Sequence, residues 1–314
     1  MNRTERVAVC SRSFSKNPVL RNELLEKYLQ VTFNDAGLQL ADEELVSFLK
    51  GHDKAIIGLE KITEGLLQQL PELKVVGKFG VGLDTIDLLA MEKHQRRLGW
   101  TPGTNRRSVS ELVVALTISM LRHVPSGHQE VLAGKWRQQI GGLLSGRTVG
   151  VIGCNNIGKD LITLLQPWGC KFLSYDLVDS PEFNSAHGVL AVGLEELLMT
   201  SDVVTLHLPL NESTRNILSK SRIGLMKESA VLINTARGGL VDEDAIKEAL
   251  KNQRLAGAAF DVFDSEPPQD KELLTLPNFL VTPHIGGSTE EATLAMGRAA
   301  IRGLDENTIP TSGA

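Results

Sequence analysis

The stretch Val149-Gly150-Val151-Ile152-Gly153-Cys154-Asn155-Asn156-Ile157-Gly158, VGVIGCNNIG, runs from β-forming apolar residues into a glycine turn and then into a helix-like segment. From Gly153 to Gly158 it has the spacing of the dinucleotide fingerprint G-x-G-x-x-G, with Asn155 in place of the middle glycine. A strand, a turn and a helix also occur in parallel sheets that bind nothing, so the surroundings decide. The turn opens a helix expected from Ile157 to Trp168, and Asp176 stands eighteen residues after Gly158, at the end of the next strand, Lys171 to Tyr175. A carboxylate at that place accepts both ribose hydroxyls of an adenosine and repels a 2′-phosphate. Leu177 and Val178 follow it, with no cation, so the expected cofactor is NAD rather than NADP. Asn155 is expected to take the left-handed backbone that glycine adopts freely, to aim its amide at the pyrophosphate, and to crowd it, leaving a looser but working site.

Working outward, the same β-α rhythm continues. Further strands are expected at Val203–Leu208, Ala230–Asn234, Ala256–Asp261 and Phe279–Thr282, with helices at Leu194–Met199 and Asp242–Lys251. Upstream, apolar runs at Val7–Val9, Lys54–Ile57 and Lys74–Gly77 alternate with helical stretches at Asp42–Lys50 and Glu64–Leu70. The fold class is therefore α/β, with two Rossmann-like, doubly wound parallel-sheet domains and a cleft between them. The segment GWTPGT at 99–104 marks a crossing into a helix from Ser108, where Ser108 and Glu111 fit a capping box. A last helix, Ser288–Leu304, is expected to return to the first domain. The boundaries read as 1–104 with 286–314 for an outer, substrate-binding domain and 105–285 for the NAD-binding domain.

Composition narrows the function classes. The chain has 314 residues, enough for two domains, and 33 basic against 38 acidic residues leave a formal charge of -5. Neither sign collects in blocks, so nucleic acid and membrane surfaces are not expected partners. The amino-terminal residues show no secretory pattern, and no apolar run reaches membrane-spanning length. Cys10, Cys154 and Cys170 have no metal-ligand spacing, so no metal is expected and a reducing, cytoplasmic setting is.

Chemistry-bearing residues gather at the carboxyl ends of the later strands. Arg237 follows a strand in NTARGG, where a guanidinium can grip a carboxylate through two parallel hydrogen bonds. Glu266 lies on the proline-stiffened loop DVFDSEPP, and His284 lies in TPHIGGS at another strand end. His207, in LHLPL, competes with His284 as a base but has no carboxylate assigned to it.

The runs INTARGGLVDEDAI, DVFDSEPP and TPHIGGST, with GKFGVGLDTID and NRRSVSEL earlier, closely resemble the signatures of the D-isomer-specific 2-hydroxyacid dehydrogenases, the family that includes D-3-phosphoglycerate dehydrogenase. The resemblance runs from about Lys74 to Ala300 and stops at a short tail, implying a short form without a regulatory extension. It implies that Arg237 binds the substrate carboxylate and polarises the 2-keto group, that His284 gives and takes the proton, and that Glu266 orients and charges His284. It implies that Asn156, Ile157, Leu208, Thr235 and Ala236 line the cofactor through their backbones, with Gly286 and Gly287 beside them. Asp261 would hold the nicotinamide amide, and Val109 would touch its ring. Backbone amides of Gly80, Val81 and Gly82 would take the substrate carboxylate, with Lys78 and Arg106 as further substrate-side cations. The implied activity is NAD-dependent hydride transfer between a D-2-hydroxy acid and its 2-keto acid, in a homodimer joined through the NAD-binding domain with Pro125–Ile140 as its arm. An alternative on the same fold is an NAD(H)-sensing protein of the corepressor type.

Three positions depart from the phosphoglycerate dehydrogenase pattern. Lys78 and Gly58 stand where arginines for a substrate phosphate are expected, and Thr85 stands for an asparagine. A second anionic group on the substrate, phosphate or phosphonate, remains compatible with Lys78, Arg106 and Arg107.

Overall fold

A computed structural model of the chain describes residues 3–178 and 180–311. Cα packing divides it into two compact units, Met1–Asn105 with Thr289–Ala314, and Arg106–Ser288. Residues 1, 2, 179 and 312–314, which the outer and central spans read from sequence include, lie outside the described residues.

The first unit is built on a five-stranded parallel sheet. Its strands are β1 (Arg3–Val9), β2 (Tyr28–Phe33), β3 (Lys54–Ile57), β4 (Val75–Lys78) and β5 (Arg97–Gly99), ordered β2-β1-β3-β4-β5. Helices cover both faces, so successive residues of β1 enter different cores. Ala8 packs with Ile57, Leu67 and Val76, while Val7 and Val9 pack with Ile56, Ala300 and Ile301. Ala300 and Ile301 come from the closing helix, Glu290–Gly303, whose N-cap Thr289 accepts the Ala292 N–H at 3.1 Å.

The second unit carries a seven-stranded parallel sheet: β6 (Thr148–Ile152), β7 (Lys171–Tyr175), β8 (Val189–Ala191), β9 (Val203–Leu206), β10 (Val231–Asn234), β11 (Gly257–Phe260) and β12 (Phe279–Val281). The order β12-β11-β10-β9-β6-β7-β8 reverses direction between β6 and β9, the doubly wound arrangement whose ligand crevice lies beyond the strand carboxyl ends at that point. Ile152, Leu206, Leu232 and Ala258 face one core, and Val151, Val203, Ile233 and Ala259 the other. The helix Arg106–Leu121 buries Val113, Leu116 and Met120 on the second of these. It begins two residues before the capping box read at Ser108, so Ser108 lies inside the first turn and donates instead to the Gly286 carbonyl at 2.6 Å. No helix among the described residues is long and apolar enough to cross a membrane. Among the same residues no group of three His, Cys, Asp or Glu is placed to hold a metal ion.

Candidate active site

The fingerprint turn leaves β6 at Gly153, which takes φ +96°. A Cβ there would lie 2.7 Å from the carbonyl carbon of His207 and 2.8 Å from its oxygen, so only glycine lets β6 and the end of β9 approach. Asn155 behaves differently from the sequence expectation. Its φ is −88°, an ordinary extended backbone, and it is the N-cap of the helix Asn156–Leu165. Its Oδ1 accepts the Ile157 N–H at 3.1 Å, and its Nδ2 donates to the His207 carbonyl. The left-handed residue of the turn is Gly153, and the Asn155 amide is directed into the turn rather than outward to a phosphate. Gly158 packs against Gly153, where a Cβ would meet the Gly153 carbonyl oxygen at 2.5 Å. The dipole of this ten-residue helix and the start of its first turn suit a bound anion.

Asp176 follows β7, and its Oδ1 accepts the Val178 N–H at 3.1 Å. It lines a cavity of about 90 Å³ together with Cys154, Ser174, Val178, Ser180, Asn184 and Ala191. A glycine turn that only glycine can close, a capped helix start and a strand-end carboxylate over a small cavity fit an adenine dinucleotide.

Arg237 sits on a turn that Asn234 builds. Asn234 is buried at the end of β10; its Oδ1 accepts the Ala236 N–H at 3.1 Å and its Nδ2 donates to the Arg237 carbonyl at 2.9 Å. The guanidinium leans back on its own turn, with Nη1 donating to the Ala236 carbonyl at 2.7 Å. Thr235 and Ala236 are buried beneath it.

His284 and Glu266 meet directly: Nδ1 of the imidazole lies 2.8 Å from Oε2 of the carboxylate. Both remain accessible, with side chains 52% and 39% exposed. The other oxygen of Glu266 accepts the Phe263 N–H at 3.1 Å, which fixes the plane of the carboxylate. His284 has φ +53°, a left-handed backbone that costs a side-chain-bearing residue roughly 1–3 kcal/mol. Asp261 holds it there. Its carbonyl accepts the His284 N–H at 3.0 Å, Oδ1 accepts the Ile285 N–H and the Thr282 hydroxyl at 2.8 and 2.5 Å, and Oδ2 accepts the Gly286 N–H at 2.8 Å. Asp261, expected at the nicotinamide amide, is thus 1% exposed and bonds the histidine turn. Gly286 is buried and Gly287 half-buried in that turn, and Val109 packs on Gly286, where a Cβ would meet the valine methyl at 3.5 Å.

His207 follows β9 with its ring buried. Nε2 stands 3.1 Å from the Thr205 hydroxyl, and Nδ1 has no partner among the described residues. Burial pushes its pKa down to about 3, so the ring is neutral near neutrality and cannot deliver a proton as an imidazolium. Leu208, beside it, packs half-buried on the core. Arg107, rather than Arg106, makes the paired contact with Asp160, Nε and Nη2 each donating at 3.0 Å, while Arg106 Nε lies 3.9 Å from that carboxylate.

In the first unit, Gly80 follows β4 with φ +137°, and the Val81 carbonyl accepts the Trp100 indole N–H at 3.0 Å. Gly82 is half-buried in the same loop. The three departures noted in the sequence turn out to be one cluster. The buried Lys78 ammonium donates to the Gly58 carbonyl at 2.5 Å and to the Thr85 hydroxyl at 3.3 Å, and the Gly58 N–H donates to Glu60. Lys78 therefore cross-links two loops of its own unit.

Asn234 and Thr282 escaped the sequence reading as site residues, and Ser108 was read only as a helix cap. Asn234 precedes Arg237 in the quoted NTARGG, and Thr282 precedes His284 in TPHIGG, so the signal was adjacency to a motif.

Residues 114–286 match the family model described as D-isomer specific 2-hydroxyacid dehydrogenase, NAD binding domain. The chain is 38% identical over 262 residues to the D-3-phosphoglycerate dehydrogenase of Methanocaldococcus jannaschii, covering 82% of this chain and 50% of that protein. It thus spans about half the length of the first curated relatives it matches. It is 34% identical over 288 residues to the hydroxypyruvate reductase of Thermotoga maritima, covering 88% of this chain and 93% of that one. Among solved structures, the D-lactate dehydrogenase from Aquifex aeolicus complexed with NAD and lactic acid superposes with a TM-score of 0.81 at 27% identity, covering 95% and 93% of the two chains. The turn, the strand-end residues and these matches agree: the chain belongs to the D-isomer specific 2-hydroxyacid dehydrogenase family, and its second unit is that family's NAD-binding domain.

Proposed function

We propose that this protein is an NAD-dependent oxidoreductase that interconverts a D-2-hydroxy acid and its 2-keto acid. The observation that carries the reading is the 2.8 Å contact of His284 Nδ1 with Glu266 Oε2, accessible at strand ends beside the Arg237 turn. When bound, NADH would supply a hydride, a proton with two electrons, for the carbonyl carbon. Protonated His284 gives the balancing proton to the carbonyl oxygen from Nε2, since Nδ1 is engaged by Glu266, and the product is the 2-hydroxy acid. In the reverse direction neutral His284 takes the hydroxyl proton. The Glu266 carboxylate stabilises the imidazolium in both directions. Arg237 remains charged throughout, so it clamps the substrate carboxylate and polarises the neighbouring carbonyl. On the same footing, Asn155, Asn156, Ile157 and Gly158 surround the pyrophosphate, and Asp176 takes the adenosine ribose.

The engagement of Lys78 favours a substrate without phosphate over a phosphorylated one. The test is NADH oxidation with glyoxylate, pyruvate, hydroxypyruvate and 3-phosphohydroxypyruvate. Turnover with at least one supports the reading. NADH binding without turnover on any of them overturns it and favours an NAD(H)-sensing protein.

We further infer a homodimer formed through the second unit, in a reducing setting where Cys10, Cys154 and Cys170 stay thiols. The helix Val124–Leu132 buries none of its residues, and Val131, Leu132, Trp136, Ile140 and Leu143 are exposed, Trp136 at 87% and Ile140 at 96%. Apolar surface of this kind gains by burial against a second copy. Sedimentation should give a dimer for the native chain and a monomer for Trp136→Ser with Ile140→Asp; a native monomer refutes it.

A further inference from the structure

The residues assigned to chemistry above do not explain how the loop that carries Glu266 is held. Two successive amides of that loop donate to two different carboxylates: Phe263 N–H to Glu266 Oε1 at 3.1 Å, and Asp264 N–H to Glu243 Oε1 at 2.8 Å. Glu243 is the first residue of the helix Glu243–Lys251, whose N-cap Asp242 accepts the Ala245 N–H at 3.0 Å. The Arg237 turn also packs on the loop. A Cβ on Gly238 would stand 1.9 Å from the carbonyl carbon of Phe263 and 2.3 Å from the nitrogen of Asp264, so the two backbones touch with no room for a side chain. Arg215 Nη1 reaches Asp264 Oδ1 at 3.3 Å. The peptide Phe263–Asp264 is thereby held by both Gly238, next to Arg237 in the chain, and Glu243.

Glu243 is a half-buried acid facing Asp264, Asp244 and Asp270, and burial followed by those neighbouring charges holds its carboxyl above the usual range. Removing such a carboxylate from water and setting it among like charges is unfavourable, and what it gains locally is the hydrogen bond from the loop backbone.

Resting on the dehydrogenase reading above, we propose that Glu243 is a positioning residue, which holds the Phe263–Asp264 peptide against Gly238 and so sets Glu266, and through it His284, relative to Arg237. It touches neither reacting atoms nor the cofactor turn, so its removal acts on turnover and leaves cofactor affinity alone. The required property is a hydrogen-bond acceptor at Oε1, not a charge.

The experiment compares Glu243→Gln and Glu243→Ala in the full chain. The glutamine keeps the acceptor, and its kcat should stay within about threefold of the native value. The alanine should lower kcat by roughly 10- to 100-fold, the effect of displacing a catalytic group by a fraction of an ångström to an ångström, with the Kd for NADH unchanged within about twofold. A Glu243→Ala protein with native kcat, or a Glu243→Gln protein as impaired as the alanine, overturns the proposal. Amide exchange at Phe263 and Asp264 separates this from failure of the underlying reading. If the native chain turns over no 2-keto acid, the dehydrogenase reading falls, and the clamp is still decided. Protection at both amides lost in Glu243→Ala and kept in Glu243→Gln supports it, and protection unchanged in the alanine, or lost equally in the glutamine, overturns it.

Discussion

His284 and Glu266 are joined through Nδ1 and Oε2 at 2.8 Å, from two loops that follow neighbouring parallel strands, β11 and β12. On the proposed reading, the contact leaves Nε2 as the ring nitrogen that carries the transferred proton. Replacing His284 by asparagine should lower kcat by about 100- to 10,000-fold, the range of general acid–base catalysis, while NADH binding followed by fluorescence stays near native. Glu266→Gln should lower kcat by roughly 100-fold, because the amide still orients the ring but no longer balances its charge. Activity retained by the His284 variant would remove it from the reaction.

If the Arg237 guanidinium clamps the substrate carboxylate as proposed, Arg237→Ala should raise KM for the keto acid and depress kcat together. Arg237→Lys should restore less than about a tenth of the lost kcat/KM, since an ammonium cannot form the paired contact. Steady-state kinetics check both; an unchanged kcat/KM in the alanine variant would place the substrate carboxylate elsewhere.

If Asp176 takes the ribose as proposed, loss of its carboxylate removes acceptors for the ribose hydroxyls and the repulsion of a 2′-phosphate. Asp176→Ala should narrow the ratio of NADH to NADPH efficiency by about tenfold or more, worth about 1.4 kcal/mol. An unchanged ratio in parallel assays would refute the assignment.

Asn155 caps a helix and ties it to the end of β9, so Asn155→Gly is expected to weaken the turn rather than relieve it. The loss should be about 1 kcal/mol of stability from the His207 hydrogen bond, with a few tenths more from the cap. NADH affinity should not improve. A titration showing tighter NADH binding in Asn155→Gly would restore the crowding account suggested by the bare sequence.

His207 gives a pH test with a defined sign. In the unfolded chain its ring takes a proton below about 6.5, whereas the folded, buried ring does so only below about 3. Between those values the unfolded state binds more protons, so His207 makes stability fall as pH falls through that window. His207→Gln should therefore lose less stability than the native chain on going from about pH 7 to about pH 4.5, read from urea midpoints. Equal losses would mean the ring is solvated.

Continuous segments made much of this protein legible before any coordinates. The run from β6 through the glycine turn to Asp176 follows from local periodicity and spacing, and the strand-end positions of Arg237, Glu266 and His284 follow from motifs only a few residues long. Strands that packing covers on both faces, such as β10 and β11, read as nearly continuous apolar runs because a parallel sheet demands it. The strands that escaped, β2, β5 and β8, are all sheet edges, and the half-exposed Tyr28–Phe33 shows why: an edge needs no continuous apolar run. What no local pattern could supply was the set of hydrogen-bond partners. Asn155 bonds residue 207, Asp261 bonds the turn around 285, Glu243 bonds residue 264, and Lys78 bonds residue 58. The amide of Asn155, read from sequence as aimed at the pyrophosphate, is turned instead to a carbonyl that folding places beside it. A buried donor or acceptor must be satisfied by whatever lies within about 3 Å, and that neighbourhood exists only after the sheets have assembled.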